Sequence, residues 1–399
     1  MTPATDPRPD GADLGDADLG CSARGGSAPM RFSPLHSVHV AQGAGFTDFA
    51  GWQMPVRYTS DLAEHHAVRN TAGLFDLSHM AEIMVDGADA AVYLDYALAG
   101  RISGLALGQA KYSLLLNPAG GIIDDLVVYR LAEQSFLVVA NAGNRFQAAA
   151  ALAQRSARFN VQVVDRSDEC ALVAVQGPRA REILATTAGV SDLTTPLDEV
   201  KYYRSTLATF TGHPLLIART GYTGEDGFEL YIRADAAVAL WEAIAEAGGP
   251  HGLVPAGLAS RDTLRLEAGM PLYGHELALD TFPAQAGLGG VVDLSKETDF
   301  IGRAASEEGP SADAPVLVGL VSAGRRAGRA GYGIHATPEA AESAGVITSG
   351  ALSPTLGHPI AMAYVAPALA RPGTQVFIDV RGNRIPAAVT SLPFYKRQK

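Results

Sequence analysis

The sequence predicts an α+β fold followed by a small all-β domain. Helical and strand-like segments alternate up to about residue 305, and neighbouring strands are joined by tight turns rather than helical crossovers, which favours α+β over a doubly wound parallel sheet. From Val316 onward, short β-rich runs separated by Gly, Pro and Asn turns are typical of a small barrel or sandwich. Because 399 residues exceed what one hydrophobic core normally serves, we expect two or three domains.

Composition indicates a soluble globular protein, which we expect in the cytoplasm. Hydrophobic residues make up 47% and charged residues 18%, and no uncharged apolar run is long enough to span a bilayer. The net charge of −11 argues against a nucleic-acid or anionic-membrane partner, since each would need an accumulated basic face. The two cysteines, Cys21 and Cys170, predict neither a structural disulfide nor a cysteine metal site.

Residues 1–30 predict a disordered acidic tail. They contain five aspartates against two arginines, and almost no large apolar side chain. The segment lacks the basic start and apolar centre of a secretory signal, and it is too acidic for a transit peptide. Met30 is a candidate alternative start.

The first folded segments predict a short helix at 34–42 and then an aromatic loop. The stretch FTDFAGWQMPVRYTS is expected to form a packed wall or a ligand wall. Thr59 or Ser60 can cap the next helix, which should run to about residue 70. His65 and His66 are adjacent on that helix, so we expect no metal pair on one of its faces.

The stretch LFDLSHMAEIMVDG predicts a single strand with His79 and Met80 near its start, and a helix follows at about 88–98. A hairpin around the turn PAGG and a third strand are then predicted at 114–117, 122–129 and 136–140.

Two adjacent aspartates lie on the second strand of that hairpin. Side chains alternate along a strand, so Asp124 should share a face with Ile122 and Leu126. Asp125 should lie on the opposite face, together with Ile123. Only one of them can face a given pocket. An unpaired aspartate in an apolar pocket is a catalytic candidate, whereas one bonded to nearby amides is structural, and the pattern leaves both interpretations open.

The segment RTGYTGEDGFEL at 219–230 has the densest turn chemistry in the chain. Its glycines lie between two apolar runs and predict a strand, a turn and a return strand. On the return strand Phe228 should face a core, while Glu229 and Tyr231 take the other face. Glu229 either points into a cleft beside Tyr222 or faces solvent.

Further helices and strands are predicted at 146–155, 171–176, from Pro178, 205–209 and 235–246. After Gly257, a helix places Arg261 and Arg265 beside the apolar Leu258. Such arginines are either paired with carboxylates or form a clamp for an anion or a heterocycle.

The last part of the chain predicts a separate β domain. Strands are expected in VLVGLV, GVITSG, AMAYVA, QVFIDV and AAVTSL, after a linker near 306–314. We therefore expect a region at 31–305 and a domain at 315–399. No nucleotide-binding glycine motif, zinc-hydrolase motif or serine-hydrolase elbow occurs, so the remaining acids, tyrosines and arginines suit a bulky heterocyclic cosubstrate.

Together these motifs resemble the glycine cleavage system T-proteins, the aminomethyltransferase family. The resemblance runs from about Phe32 to Tyr395 and is carried by FAGWQMPVRY, LFDLSHM, YSLLLNPAGGIIDDLVVY, ALVAVQGP, RTGYTGEDGFEL, GLASRDTLRLEAGMPLYGHEL, ITSGALSPTLG and PFY. It implies three domains around a central channel, with two interleaved ferredoxin-like α/β domains and a C-terminal β-barrel.

The resemblance also implies a reaction. The one-carbon unit on the S-aminomethyl-dihydrolipoyl arm of the carrier H-protein passes to tetrahydrofolate, with release of ammonia and formation of 5,10-methylenetetrahydrofolate. It implies neither a metal nor a nucleotide.

Site residues follow from the same motifs. Asp125 matches the family's catalytic acid, Asp124 becomes its structural partner, and Glu229 matches the pterin-binding glutamate. The remaining matches are the folate contacts Tyr112, Tyr203, Tyr222, Met80, Asn141 and Arg261. One departure is Gly290, which stands where relatives commonly have tryptophan, and it puts an aromatic contact to the channel in doubt.

Two alternatives remain at this point. The same fold accepts other one-carbon donors, so a folate-dependent demethylase is the second enzymatic hypothesis. A folate-binding protein of iron–sulfur cluster assembly is disfavoured, because those relatives carry a cysteine in a KGCYxGQE-type motif that is missing here.

Overall fold

The structure, a computed structural model, describes residues 29–397. Cys21 and nearly all of the predicted acidic tail lie outside the described residues. The chain forms a small three-stranded sheet, two larger sheets and a closed barrel. Between residues 29 and 397, no helix combines the length and apolar character that a membrane span requires.

The segment predicted as an aromatic loop is a β-hairpin, so that prediction was wrong. Trp52 and Met54 point into a buried cluster at the strand period of two, and the residues at the turn, Ala50 and Gly51, both have positive φ. The nearby Gly and Pro had obscured this alternation. The small sheet consists of β1 (Arg31–Phe32), β2 (Gly45–Phe49) and β3 (Trp52–Arg57), in the order β1-β3-β2.

The seven helices predicted in the first 270 residues are all present. They are α1 (His36–Ala41), α2 (Asp61–Asn70), α3 (Ala90–Ala97), α4 (Arg145–Arg155), α5 (Ala180–Thr186), α6 (Ala237–Gly248) and α7 (Leu258–Glu267). Ser60 caps α2, because its side-chain oxygen accepts a hydrogen bond from the backbone N–H of Ala63. A further helix, α8 (Arg303–Glu308), overlaps the start of the predicted linker.

The first large sheet has seven strands that come from distant parts of the chain. Helices α5 and α6 cover one face, where Trp241 is fully buried against the strands. Only one neighbouring pair, β4 with β15, is parallel. In spatial order the strands are β11 (Val190–Ser191), β12 (Ser205–Phe210), β13 (His213–Ala218), β14 (Gly227–Arg233), β10 (Cys170–Gln176), β4 (Ala72–Asp76) and β15 (Leu253–Pro255).

The second large sheet has five antiparallel strands. Helices α3 and α4 cover one face and contribute the buried Tyr93 and Leu152 to its core. In spatial order the strands are β6 (Ala110–Leu116), β7 (Ile122–Ala132), β8 (Ser135–Ala140), β5 (Ala81–Asp86) and β9 (Gln162–Asp165).

The stretch predicted as one strand through His79 and Met80 is two strands in different sheets, so that prediction was wrong. β4 ends at Asp76, a turn at 77–80 follows, and β5 begins at Ala81. Leu77, Ser78 and His79 of the turn are buried like the strands on either side, so burial does not mark the break between the two strands. The second sheet is therefore inserted between strands of the first, and one buried cluster with residues from both sheets fills the space between them.

The C-terminal part closes into a six-stranded barrel. The strands are β16 (Val316–Ser322), β17 (Gly333–His335), β18 (Gly345–Leu352), β19 (Pro359–Val365), β20 (Gln375–Val380) and β21 (Asn383–Thr390), in the order β16-β19-β18-β17-β20-β21. β17 was not predicted, because three residues are too short for a pattern. The barrel packs against the end of α7 through Leu266.

The predicted fold class, α+β with two interleaved domains and a C-terminal barrel, is confirmed. The domain limits 31–305 and 315–399 stay a prediction.

Candidate active site

A cavity of about 460 Å³ lies where the two large sheets meet α7. Its walls are mainly aromatic and aliphatic, with a few polar side chains, which is the usual character of a small-molecule site. The structure brings all eight residues named from the sequence to this cavity: Asp125, Glu229, Arg261, Tyr112, Tyr222, Tyr203, Asn141 and Met80.

Glu229 reaches the cavity because of the pleat of β14. Phe228 and Leu230 are fully buried in the core beneath α5 and α6, and Glu229 and Tyr231 project from the opposite face into the cavity. Glu229 Oε2 accepts hydrogen bonds from Thr220 Oγ1 at 2.5 Å and from the hydroxyl of Tyr129 at 3.4 Å. Glu229 Oε1 accepts none from the described residues, so it is available to a donor on a ligand.

A buried amide fixes the turn that precedes β14. Gln176 Nε2 donates to the carbonyl oxygen of Thr220, and Thr223 Oγ1 donates to Gln176 Oε1. A Cβ atom on Gly221 would lie 2.0 Å from that Oε1 atom, and one on Gly227 would lie 2.5 Å from Nε2. Glycine is therefore required at both positions by the close approach of Gln176.

Asp125 faces the cavity and Asp124 is completely buried behind it. Asp125 accepts hydrogen bonds from the hydroxyl of Tyr112 at 3.0 Å and from Asn141 Nδ2 at 2.8 Å. Asp124 accepts three N–H donors, from the backbone and side chain of Asn141 and from the side chain of Asn144. Burial raises the pKa of both carboxyls, to about 8 for Asp124, where the charge of Asp125 is the second cause.

The predicted alternation around the two aspartates fails before Asp124. The register of β7 against β6 shifts there, so that Ile123 is the extra residue of a β-bulge. Ile123 consequently packs with Leu126 beneath α3 and α4 and does not share the face of Asp125. A bulge cannot be read from apolar alternation, because it changes the face of a residue without changing its type.

The two arginines of α7 differ: one is paired with carboxylates, and the other is free to contact a ligand. Arg265 is paired with Asp262 and Glu276 at 2.7 and 3.0 Å, which is the structural interpretation. Arg261 makes no ion pair with any residue from 29 to 397; its guanidinium lies 4.9 Å from the ring centre of Tyr222, and its Nη1 atom is buried without a hydrogen-bond partner. Arg261 is thus a cation with a free donor in the cavity wall.

The tyrosines of the cavity are held as neutral phenols. Burial raises the pKa of Tyr112, Tyr203 and Tyr222 above the usual value. Tyr203 has a φ of 58°, a left-handed conformation that non-glycine residues rarely adopt, and its backbone is held by hydrogen bonds to Arg219 and Ala110. The hydroxyl of Tyr222 donates to the carbonyl oxygen of Pro271 at 2.5 Å.

The sequence did not identify several residues of the wall. Thr220 and Tyr129, which contact Glu229, lie on segments whose facing direction depends on the packing of both sheets. His79 lies in the turn after β4; burial lowers its pKa to about 4, so the ring is neutral, and its Nδ1 atom has no partner. Phe49 packs edge-on against that ring at 5.3 Å. The aromatic stretch had signalled Phe49 as a wall residue, whereas nothing in the sequence signalled Thr220.

Gly290 lies outside the cavity wall. A Cβ atom there would meet no atom within 4 Å, so the position is open, and the neighbouring Leu288 contacts the cavity instead.

In the part of the chain that the structure describes, no group of three or more His, Cys, Asp or Glu side chains could hold a metal ion.

Comparison with known proteins gives consistent matches over nearly the whole chain. Residues 35–296 match the family described as the GCVT N-terminal domain, and residues 316–396 match the glycine cleavage T-protein C-terminal barrel domain. An aminomethyltransferase of Cutibacterium acnes is 57% identical, covering 92% of this chain and 99% of its own length. One from Streptomyces coelicolor is 53% identical, covering 94% and 100%. The crystal structure of glycine cleavage system aminomethyltransferase T from Bartonella henselae matches with a TM-score of 0.84 at 39% identity, covering 92% and 98%.

Proposed function

The chain belongs to the glycine cleavage T-protein family and is an aminomethyltransferase of the glycine cleavage system, and we propose that its one-carbon acceptor is tetrahydrofolate. The donor is the S-aminomethyl-dihydrolipoyl arm of the carrier H-protein. The products are ammonia, the dihydrolipoyl carrier and 5,10-methylenetetrahydrofolate. We place this reaction in the cytoplasm.

One observation carries the proposal: a single cavity holds a free carboxylate oxygen, a free guanidinium donor and flat aromatic walls. The ring N–H and the exocyclic amine of a pterin are donors, which suits Glu229 Oε1. The unpartnered Nη1 of Arg261 suits an acceptor atom of the ligand. Tyr222 and Met80 supply surfaces against which a ring can pack. All four side chains line the same cavity, and the Arg261 guanidinium lies 4.9 Å from the ring centre of Tyr222.

The donor group must enter on a flexible arm. A cavity of about 460 Å³ accommodates a small molecule and excludes a folded protein. A lipoyl group on a carrier meets this requirement, which supports the H-protein as the partner.

The reaction moves protons as well as carbon. The carbon loses its bonds to sulfur and to the amino nitrogen and forms bonds to two folate nitrogens, so the two folate N–H protons finish on the thiol and on ammonia. Asp125, the acid that faces the cavity, can hold or move such a proton, and it can support charge that develops on a folate nitrogen. Asn141 and Tyr112 fix the position of its carboxyl.

The competing functions receive less support. The relatives described above are named aminomethyltransferases, which does not favour a folate-dependent demethylase. A role in iron–sulfur cluster assembly would call for a reactive cysteine, but Cys170 lies on β10 outside the cavity wall, and burial raises its thiol pKa to about 12.

The test is tetrahydrofolate-dependent release of ammonia from the aminomethyl-loaded carrier. The wild-type chain should release ammonia only when both substrates are present. Asp125→Asn should bind tetrahydrofolate within a few-fold of wild type and lose about 100-fold or more in single-turnover rate, since positioned proton transfer contributes about 10²–10⁴-fold. Tight folate binding by the wild type without ammonia release would contradict the proposed reaction, and near-normal turnover of Asp125→Asn would contradict the role of Asp125.

A further inference from the structure

One side-chain amide joins the carboxyls of Asp124 and Asp125. Asn141 Nδ2 lies 2.8 Å from Asp124 Oδ1 and 2.8 Å from Asp125 Oδ1. Neighbouring side chains of a strand normally point to opposite faces, so one group seldom contacts both. Asn141 does so because it follows the last residue of β8, where the pairing with β7 ends opposite Leu126. Its side chain lies beside the two aspartates instead of opposite one of them.

The donors around this pair are all neutral. Asp124 accepts only N–H groups, from Asn141 and Asn144, and Asp125 accepts from Asn141 and from the phenol of Tyr112. Over residues 29–397, neither carboxyl lies within ion-pair distance of a Lys, Arg or His side chain. Two negative charges so close together, without a cation and largely out of water, are strongly unfavourable, and the pair can relieve this by retaining one proton.

We propose that Asp124 and Asp125 act as one proton-sharing pair, in which Asp124 is the positioning residue that keeps the proton on Asp125. The proposal rests on the proposed function and deepens it. Asp124 accepts three N–H donors, whereas the side chain of Asp125 accepts one N–H and one O–H, and hydrogen bonds to a carboxylate favour its charged form, so Asp124 is the better stabilised anion. The proton therefore resides on the member of the pair that faces the cavity.

Two charged side chains elsewhere in the cavity wall, Arg261 and Glu229, make no ion pair or hydrogen bond with either aspartate. Four phenols face the pair, and burial raises the pKa of each, so they are neutral near pH 7: Tyr112, Tyr203, Tyr222 and Tyr273. Burial likewise raises the pKa of both carboxyls, to about 8 for Asp124. Since the two sites interact, the upper pKa belongs to the pair and not to one residue.

A pair that holds one proton fits the proton balance of the reaction. Asp125 can give its proton to the departing sulfur or nitrogen and then, as a carboxylate, accept one from a folate nitrogen. The pair returns to its starting charge after each turnover, and no proton has to cross the apolar walls. A lone carboxylate with an ordinary pKa would begin the cycle without a proton to give.

The first experiment is the pH dependence of single-turnover ammonia release at saturating tetrahydrofolate. In the wild type the rate should fall as the pH rises through the upper pKa of the pair, which burial raises above the usual value of an aspartate. Asp124→Asn removes the charge that retains the proton, so this fall should move to lower pH by about one unit or more. The tetrahydrofolate KM at pH 6 should change little. An unmoved alkaline limb in Asp124→Asn overturns the proposal.

The second experiment does not depend on activity or on the folding of Asp124→Asn. Infrared spectra of the ligand-free chain at pH 7 should show the carbonyl stretch of a protonated carboxyl that disappears in Asp125→Asn. Glu82 provides the control, because it is buried with both carboxyl oxygens unpartnered and burial raises its pKa well above the usual value. Glu82→Gln should remove a separate band.

A wild-type spectrum with no band sensitive to Asp125→Asn overturns the proton-sharing pair. If ammonia release fails in the wild type, the proposed function fails, and the infrared spectra still decide whether the pair exists.

Discussion

At the residue scale, a charged side chain that is fully bonded within the protein has a structural role, whereas one that keeps a free polar atom in the cavity can contact a ligand. Arg261 and Arg265 lie one helical turn apart, yet Arg265 is ion-paired twice while Arg261 keeps a free donor in the cavity. Glu229 shows the same division within one carboxylate, since Oε2 is bonded to the protein and Oε1 is free. Unsatisfied polar atoms in an enclosed cavity indicate where a ligand completes the hydrogen bonding.

Thr220 orients Glu229, which leads to a prediction about cosubstrate affinity. Thr220→Val keeps the shape but removes the hydroxyl that holds Oε2, so the tetrahydrofolate Kd should rise about 5- to 10-fold, which corresponds to the loss of a typical hydrogen bond of about 1 kcal/mol. Glu229→Gln should raise it at least as much. Calorimetric titration measures both.

The control is Thr220→Ser, which retains the hydroxyl and should bind nearly as well as wild type. In the Glu229→Gln background, Thr220→Val should have little further effect, because its partner has already changed. Additive effects of the two substitutions would show that Thr220 does not act through Glu229.

At the element scale, the turn between β13 and β14 is shaped by a side chain from another strand. Gln176 of β10 bonds to Thr220 and Thr223 of the turn and occupies the space where Cβ atoms of Gly221 and Gly227 would lie. The glycines are therefore required by packing, since neither has a φ in the left-handed region, in contrast to Gly224 at φ 80°.

Gly221→Ala should disturb this turn. The added methyl group would lie 2.0 Å from Gln176 Oε1, so the turn must shift, which should lower the free energy of unfolding by about 1–3 kcal/mol and weaken tetrahydrofolate binding. Denaturant unfolding and titration measure the two effects. Gly290→Ala is the matched control, because its Cβ atom meets no atom within 4 Å and should change neither quantity by much. Equal behaviour of the two variants would refute the packing argument.

At the scale of the whole molecule, a buried ionic network joins the barrel to the two sheets. Glu267 at the end of α7 accepts hydrogen bonds from Arg69 of α2 and from Ser353 and Thr355 in the barrel loop. Arg69 also pairs with Glu225 in the turn before β14. The same arginine thus connects the barrel interface with the turn that presents Glu229.

Because of this network, the free energy of unfolding should decrease at acidic pH. Burial raises the pKa of Glu267, but hydrogen bonds from His65, Ser353 and Arg69 outweigh it and lower the pKa to about 2 from 4.5. The stabilisation is therefore present above pH 4.5 and is lost as the pH falls towards 2. At about 1.4 kcal/mol per pKa unit it amounts to about 3 kcal/mol.

Glu267→Gln should lower the unfolding free energy at pH 7 by about 3–5 kcal/mol, because Arg69 loses the partner of a buried pair. It should also flatten the pH dependence of stability between 4.5 and 2, measured by denaturant unfolding. Glu182→Gln, which removes an exposed pair with Arg179, should change stability by less than about 1 kcal/mol. An acid dependence as steep as that of wild type in Glu267→Gln would contradict this account.

The sequence by itself determined the features that depend on neighbouring residues. The seven early helices, the two hairpins, five of the six barrel strands and the inward face of Phe228 follow from periodicity, capping and turn chemistry. Family motifs named the eight residues that the structure places around one cavity, although their roles remain proposals.

Only the tertiary structure decided where the alternation of apolar residues is interrupted and which contacts come from residues far away in the sequence. The division of one apolar stretch into β4 and β5, the bulge at Ile123 and the contacts of Thr220 depend on pairing with strands far away in the sequence. For RTGYTGEDGFEL, the sequence predicted the turn and the face of Glu229. Burial against the second sheet decided that this face is a cavity and not solvent, because only folding brings the two sheets together.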